Sequence, residues 1–97
     1  LGAGFAELSN DKKKSYGISY GVEVSGVKEG KFQQAGIRKG FIILNINSEI
    51  ITSPDDIERI YNSIQNSSNR DKVMFISGIY PNGRNAYYAV DLSNSED

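Results

Sequence analysis

The 97-residue sequence holds no cysteine, no histidine and no tryptophan, and only two prolines. Each absence removes a class of function. Without cysteine there is no disulfide scaffold and no thiolate metal site. Without histidine as well, zinc would have carboxylates alone as ligands, so no metal is expected. A serine–histidine–aspartate triad cannot be assembled from this chain, and no catalytic residue or cofactor is expected. An excess of one charge is also missing: 11 basic against 12 acidic residues leave a net charge of -1. A nucleic-acid binder should show a basic excess, and nothing here draws the chain to an anionic membrane. The longest apolar run, Phe41-Ile42-Ile43-Leu44, is far short of a membrane span. Neither nucleic-acid binding nor membrane insertion is expected.

What is present suits one small domain. The length allows a single core, and 38% apolar residues lie within the globular range. Ten glycines fit a strand-rich chain with tight turns. The opening at Leu1-Gly2, without a methionine, reads as a piece of a longer protein.

Along the chain, residues 1–8 read as a short strand after a glycine turn. Residues 9–15 (SNDKKKS) read as a polar loop or loose helical turn, with Lys12-Lys13-Lys14 as a solvated face. Tyr20 to Val27 alternates, with Val22 and Val24 on one face, as a half-buried strand does. Lys31 to Ala35 makes one helical turn closed by Gly36. Phe41 to Ile46 is apolar enough for a central strand buried on both faces. A turn at residues 47–49 leads to a brief strand at Ile50-Ile51.

The clearest element is a helix from Pro54 to about Asn66. Ser53 suits the N-cap, Pro54 the first helical position and Asp56 the third. Ile57, Ile60, Tyr61 and Ile64 follow at helical spacing. Past a polar exit over residues 67–71, Lys72 to Tyr80 and Ala86 to Leu92 form a hairpin around Pro81-Asn82-Gly83-Arg84, where Asn-Gly tolerates positive φ. Residues 93–97 form a polar, acidic tail. The architecture expected is α+β, mainly β: a small, partly open barrel or sandwich with one long helix and one short helical turn.

The ordered set Gly21-Val22-Glu23-Val24, Gly26-Val27, Gly30, Ala35-Gly36-Ile37, Lys39-Gly40, Ile42-Ile43, Ile46-Asn47 and Ser53-Pro54-Asp55-Asp56-Ile57 resembles the PDZ domains of HtrA/DegP-type serine proteases. The resemblance covers nearly the whole chain, and Bacteroidetes-type members look most alike. Two positions depart from the family pattern. Phe41 stands where aspartate is usual, and Ser48 where glycine is common. Both suggest a divergent member, a second PDZ of its parent rather than a first.

The resemblance implies a peptide-binding module that takes extended segments or C-termini by strand addition. An extended peptide can join an open sheet edge, its carboxylate held by successive N–H groups of a glycine turn. Two registers are open. In the HtrA register, favoured because it keeps Glu7-Leu8 in step, Leu1, Gly2 and Ala3 form the carboxylate loop. Gly4, Phe5 and Ala6 then begin the groove strand. In the other register Gly2-Ala3-Gly4-Phe5 is the loop. By helix phase, Pro54, Glu58 and Tyr61 form the opposite wall, while Ile57, Ile60 and Ile64 face the core. Pro54 offers no side-chain hydrogen bond to a ligand hydroxyl, and Glu58 disfavours acidic ligand residues.

The domain expected over residues 1–92 would then be a regulatory or substrate-recruiting part of a periplasmic HtrA-like serine protease. Its partners would be peptides or unfolded protein C-termini and the protease domain of the same chain, within a homo-oligomeric parent. The rival expectation is a structural PDZ domain with a degenerate groove that mediates oligomer contacts.

Overall fold

The computed structural model describes residues 1–67 and 72–93; residues 68–71 of the expected polar exit and 94–97 of the expected tail lie outside the described residues. In chain order the elements are β1 (Ala3–Glu7), α1 (Asn10–Tyr16), β2 (Val22–Val27), α2 (Lys31–Ala35), β3 (Ile42–Ile46), β4 (Glu49–Ile50), α3 (Pro54–Gln65), β5 (Val73–Ile79) and β6 (Asn85–Asp91). The strands form one six-stranded sheet in the order β1-β2-β3-β5-β6, with β4 attached to β3. Every pairing is antiparallel and the sheet does not close. The α+β, mainly β architecture holds.

Three details differ from the sequence reading. Of the loop or loose helical turn expected for the lysine-rich stretch, the structure shows a regular helix of seven residues. The Ser9 hydroxyl accepts the Lys12 N–H at 3.2 Å, and Gly17, in the left-handed region, closes the other end. The helix buries no residue, so it has no apolar stripe to announce it. β3 is buried on both faces only in part: Ile42, Ile43 and Ile46 are buried, whereas Leu44 and Asn45 are half-exposed. Ile64 of α3 is half-buried at the margin, while Ile57 and Ile60 are 1% and 5% exposed.

The core lies between the sheet and α3. Val22 and Val24 of β2, Ile43 and Ile46 of β3, and Met74 and Ile76 of β5 meet Ile57 and Ile60 there. α3 starts where its sequence demands. Pro54 occupies the first turn, where its missing N–H costs nothing. The Asp56 carboxylate reaches back to accept the Thr52 N–H at 2.9 Å, the Thr52 hydroxyl at 2.9 Å and the Ser53 N–H at 3.3 Å. These bonds, those from Thr52 foremost, hold the Asp56 carboxyl below its ordinary range.

Close packing of strands depends on Gly78 of β5. It pairs with Ile43, and a Cβ there would fall 1.9 Å from the Ile42 carbonyl oxygen. The β1–β2 ladder carries a bulge: Gly4 faces Gly26 but Phe5 faces Val24, so Ser25 is the extra residue and it belongs to β2. The β3–β4 turn is made by Asn47 and Ser48, at φ 51° and 68°, as a two-residue primed turn requires. Asn47 also ties the turn to β5, its Oδ1 accepting the Phe75 N–H at 2.8 Å.

Candidate functional site

β1 stands at one end of the strand order and pairs only with β2. Its other edge lies beside α3. Between them runs a cleft of about 340 Å³. Leu1, Ala3 and Phe5 line it from the strand, alternate residues sharing one face as strand geometry dictates. Pro54, Asp55, Ile57, Glu58 and Tyr61 line it from the helix, on adjoining positions one and two turns apart.

The floor is apolar. Phe5 is half-buried and meets Phe32 edge-on, with ring centroids 5.5 Å apart. Ile57 is buried and joins the cleft to the core. Tyr61 is half-buried, and its hydroxyl accepts the Gln65 side-chain N–H at 3.2 Å. The helix rim is acidic, with Asp55 and Glu58 both exposed.

At the N-terminal end of β1 the backbone turns through Gly2, at φ +79°. A Cβ at Gly2 would lie 2.7 Å from the Glu29 carbonyl oxygen, so both conformation and space call for glycine. The Leu1 carbonyl accepts the Phe32 N–H at 3.3 Å, and the Gly2 carbonyl accepts the Lys28 N–H at 2.8 Å. Among the described residues no peptide bond is cis. In a trans peptide the N–H points opposite the carbonyl of the same unit. The Gly2 and Ala3 N–H groups are therefore turned away from residues 28–32. Successive backbone donors of this kind can form an anion-accepting concavity.

The residues named from the sequence are thus distributed as follows. Leu1, Ala3, Phe5, Pro54, Glu58 and Tyr61 line one cleft, and Gly2 shapes its end. Gly4 and Ala6 belong to β1 but do not line the cleft; the period of two sends them to the other face. Asp55 and Ile57 line it and were not named. Asp55 lies one position after Pro54 and three before Glu58, so a helical projection could have placed it. Ile57 serves core and cleft together, which a two-faced projection does not represent. Among the described residues no group of acidic side chains is arranged to hold a metal ion. No described helix is long and apolar enough to cross a membrane.

Comparison with known proteins gives a consistent set of relatives. No family model matches the sequence. A "Probable periplasmic serine endoprotease DegP-like" of Pseudomonas fulva is 31% identical over 64 residues, covering 66% of this chain and 13% of that protein. Its namesake in Pseudomonas fluorescens is 30% identical over 60 residues, 62% of this chain and 13% of that protein. The matches thus span a small fraction of those relatives' length. Among solved structures, the HtrA3 PDZ domain bound to a phage-derived ligand (FGRWV) aligns with a TM-score of 0.73 at 15% identity, over 94% of this chain and 81% of that one. The PDZ domain of EpsC from Vibrio cholerae aligns with a TM-score of 0.62 at 16% identity, over 93% of each chain.

Proposed function

We propose that this chain, whose fold is that of solved PDZ domains and which has DegP-like proteases among its relatives, is a non-catalytic binding module that captures extended peptide segments or protein C-termini by adding them as a strand to β1. The observation that carries this reading is the cleft between the outer edge of β1 and α3. An added strand would hydrogen-bond to the β1 backbone, which supplies affinity, and send alternate side chains into the cleft, which supplies selectivity. The terminal carboxylate would lie at Leu1-Gly2-Ala3, against the N–H groups of Gly2 and Ala3. The side chains of Phe5, Ile57 and Tyr61 would receive the last ligand residue. Tyr61 fills part of that space, so alanine or valine ends should bind better than phenylalanine. The peptide ligand of the HtrA3 domain lends support by likeness of fold.

By the same reading, residues 1–92 form the domain. Leu92 is 4% exposed and its N–H donates to the Lys72 carbonyl, which supports a boundary just beyond it, with residues 93–97 as a tail. The parent would be a periplasmic HtrA-like serine protease, in line with the names of the curated relatives, and the domain would be a regulatory or substrate-recruiting part of it.

The test is a pair of fluorescent peptides ending in valine, one with a free carboxylate and one amidated, titrated against the chain by anisotropy. The free acid should bind at least tenfold more tightly. Gly2→Ala should remove that difference, because a Cβ would displace the loop. Equal binding of acid and amide would rule out carboxylate capture. No binding of either, with the fold intact, would favour a structural domain that holds protease subunits together.

A further inference from the structure

A second concavity shares no residue with the peptide cleft. It lies between the loop after α2 and the β5–β6 turn, and holds about 610 Å³. Arg38, Lys39 and Arg84 line it, and no acidic residue does. None of the three cations forms an ion pair among the described residues, where the pairs belong to Lys12 and Arg59. In a chain of net charge -1, three unpaired cations around one recess are a local concentration of field.

The floor of the recess carries an unspent donor. Tyr80 and Tyr88 share one hydrogen bond of 2.5 Å between their hydroxyls. The Tyr80 oxygen also accepts the Arg38 N–H at 3.2 Å. Two hydroxyls own two protons, and one bond joins them. Whichever is the donor, one O–H proton of the pair has no acceptor among the described residues. Beneath both rings lies Phe41, fully buried, with centroids 4.9 Å from Tyr80 and 5.2 Å from Tyr88. The pair is therefore fixed in place, so its spare proton is presented from a firm base.

We propose that this recess is a docking site for an acidic protein segment, with one carboxylate taken by Arg38, Arg84 and the Tyr80–Tyr88 pair. The unspent hydroxyl proton and the unpaired guanidinium groups both call for an anionic acceptor. Pro81 and Ala86 add apolar lining that a bare inorganic ion could not use. An aliphatic residue beside the carboxylate could. A long polyanion is a poor match, because the cations are confined to one recess on a chain of balanced charge.

The experiment is a two-dimensional amide NMR titration of the 97-residue chain with a short Glu/Leu peptide, capped at both ends so that it offers no terminal carboxylate to β1. The expected result is a set of shifts confined to Arg38, Lys39, Tyr88 and the residues around Arg84. Affinity should fall several-fold when salt is raised from low to physiological ionic strength. Arg84→Glu should weaken binding at least tenfold with unchanged spectral dispersion elsewhere, and Arg38→Glu should do the same. Tyr88→Phe, which leaves the Tyr80 hydroxyl proton but removes its partner, should weaken it by a smaller factor. A matched Lys/Leu peptide should give no shifts. The proposal is overturned if the acidic peptide shifts nothing, if its shifts fall along β1 and α3, or if inorganic phosphate at equal ionic strength produces the same response.

Discussion

The cleft beside β1 and the recess beneath the β5–β6 turn both have aromatic floors, Phe5 and Tyr61 in one and Tyr80 and Tyr88 in the other. Their rims differ in sign. Asp55 and Glu58 border the first, and Arg38, Lys39 and Arg84 the second. A net charge of -1 for the whole chain describes neither surface. They differ also in the source of their donors. On the proposed reading the first would rely on the backbone N–H groups of Gly2 and Ala3, which nearly any side chain would provide if the conformation could be held. The second relies on guanidinium and phenol groups that single substitutions remove.

The largest expected effect tests how each surface is attached to the core. Ile57 belongs to cleft and core alike, so Ile57→Ala should destabilise the fold by about 2–5 kcal/mol. Arg84→Ala touches only the recess and should stay within about 0.5 kcal/mol. Denaturant midpoints decide between them, and comparable losses in both variants would mean that the recess is structural. Next, Glu58→Lys should reverse one side of the contrast in charge. It should move peptide preference at the cleft towards acidic residues by about 1 kcal/mol, the scale of an exposed pair, and leave Glu/Leu peptide binding at the recess alone. Anisotropy with paired acidic and basic ligands reads this directly.

The smallest effect concerns protonation. Burial first, and the Tyr80 hydroxyl second, push the Tyr88 phenol up to about 12. An unfolded tyrosine titrates near about 10. The folded chain therefore keeps this proton longer, and the stability gained is complete below about pH 10 and lost as pH rises towards about 12. Ultraviolet absorbance should show one of the six tyrosines ionising after the rest, and Tyr88→Phe should remove that late phase. A single phase for all would mean that water reaches the hydroxyl pair freely.

The parts of the fold that were legible in the sequence are those written in period and punctuation. Ser53-Pro54-Asp55-Asp56 marked the start of α3 because capping uses a short list of residue types, and Asn82-Gly83 marked the hairpin for the same reason. α1 was legible only as one of two readings, loop or helical turn, since a helix with no buried face has no pattern to show. The position of the cleft followed from the ordered glycines and the strand–helix arrangement. Its lining did not follow in full, because the backbone of β1 sends Gly4 and Ala6 away from it. The departures from the family pattern gain a physical account. Phe41, standing where aspartate is usual, builds the support beneath Tyr80 and Tyr88. Ser48 takes the left-handed conformation, at φ 68°, that glycine would adopt with less strain. The recess itself could not be read from the chain, because Arg38 and Arg84 lie far apart in sequence and meet only through the β5–β6 hairpin.

The bulge at Ser25 places its irregularity on the inner of two paired strands. β1 runs from Ala3 to Glu7 without an inserted residue, while β2 absorbs the extra residue and the added twist. A ligand laid along β1 as proposed would therefore be read in constant frame: its odd and even residues would not exchange roles along the template. Growth or loss of a residue near Ser25 would alter how β1 is backed. The same change within β1 would invert which ligand side chains enter the cleft. The chain's tolerance for length variation is thus placed one strand away from the surface where a shift of one residue would change meaning.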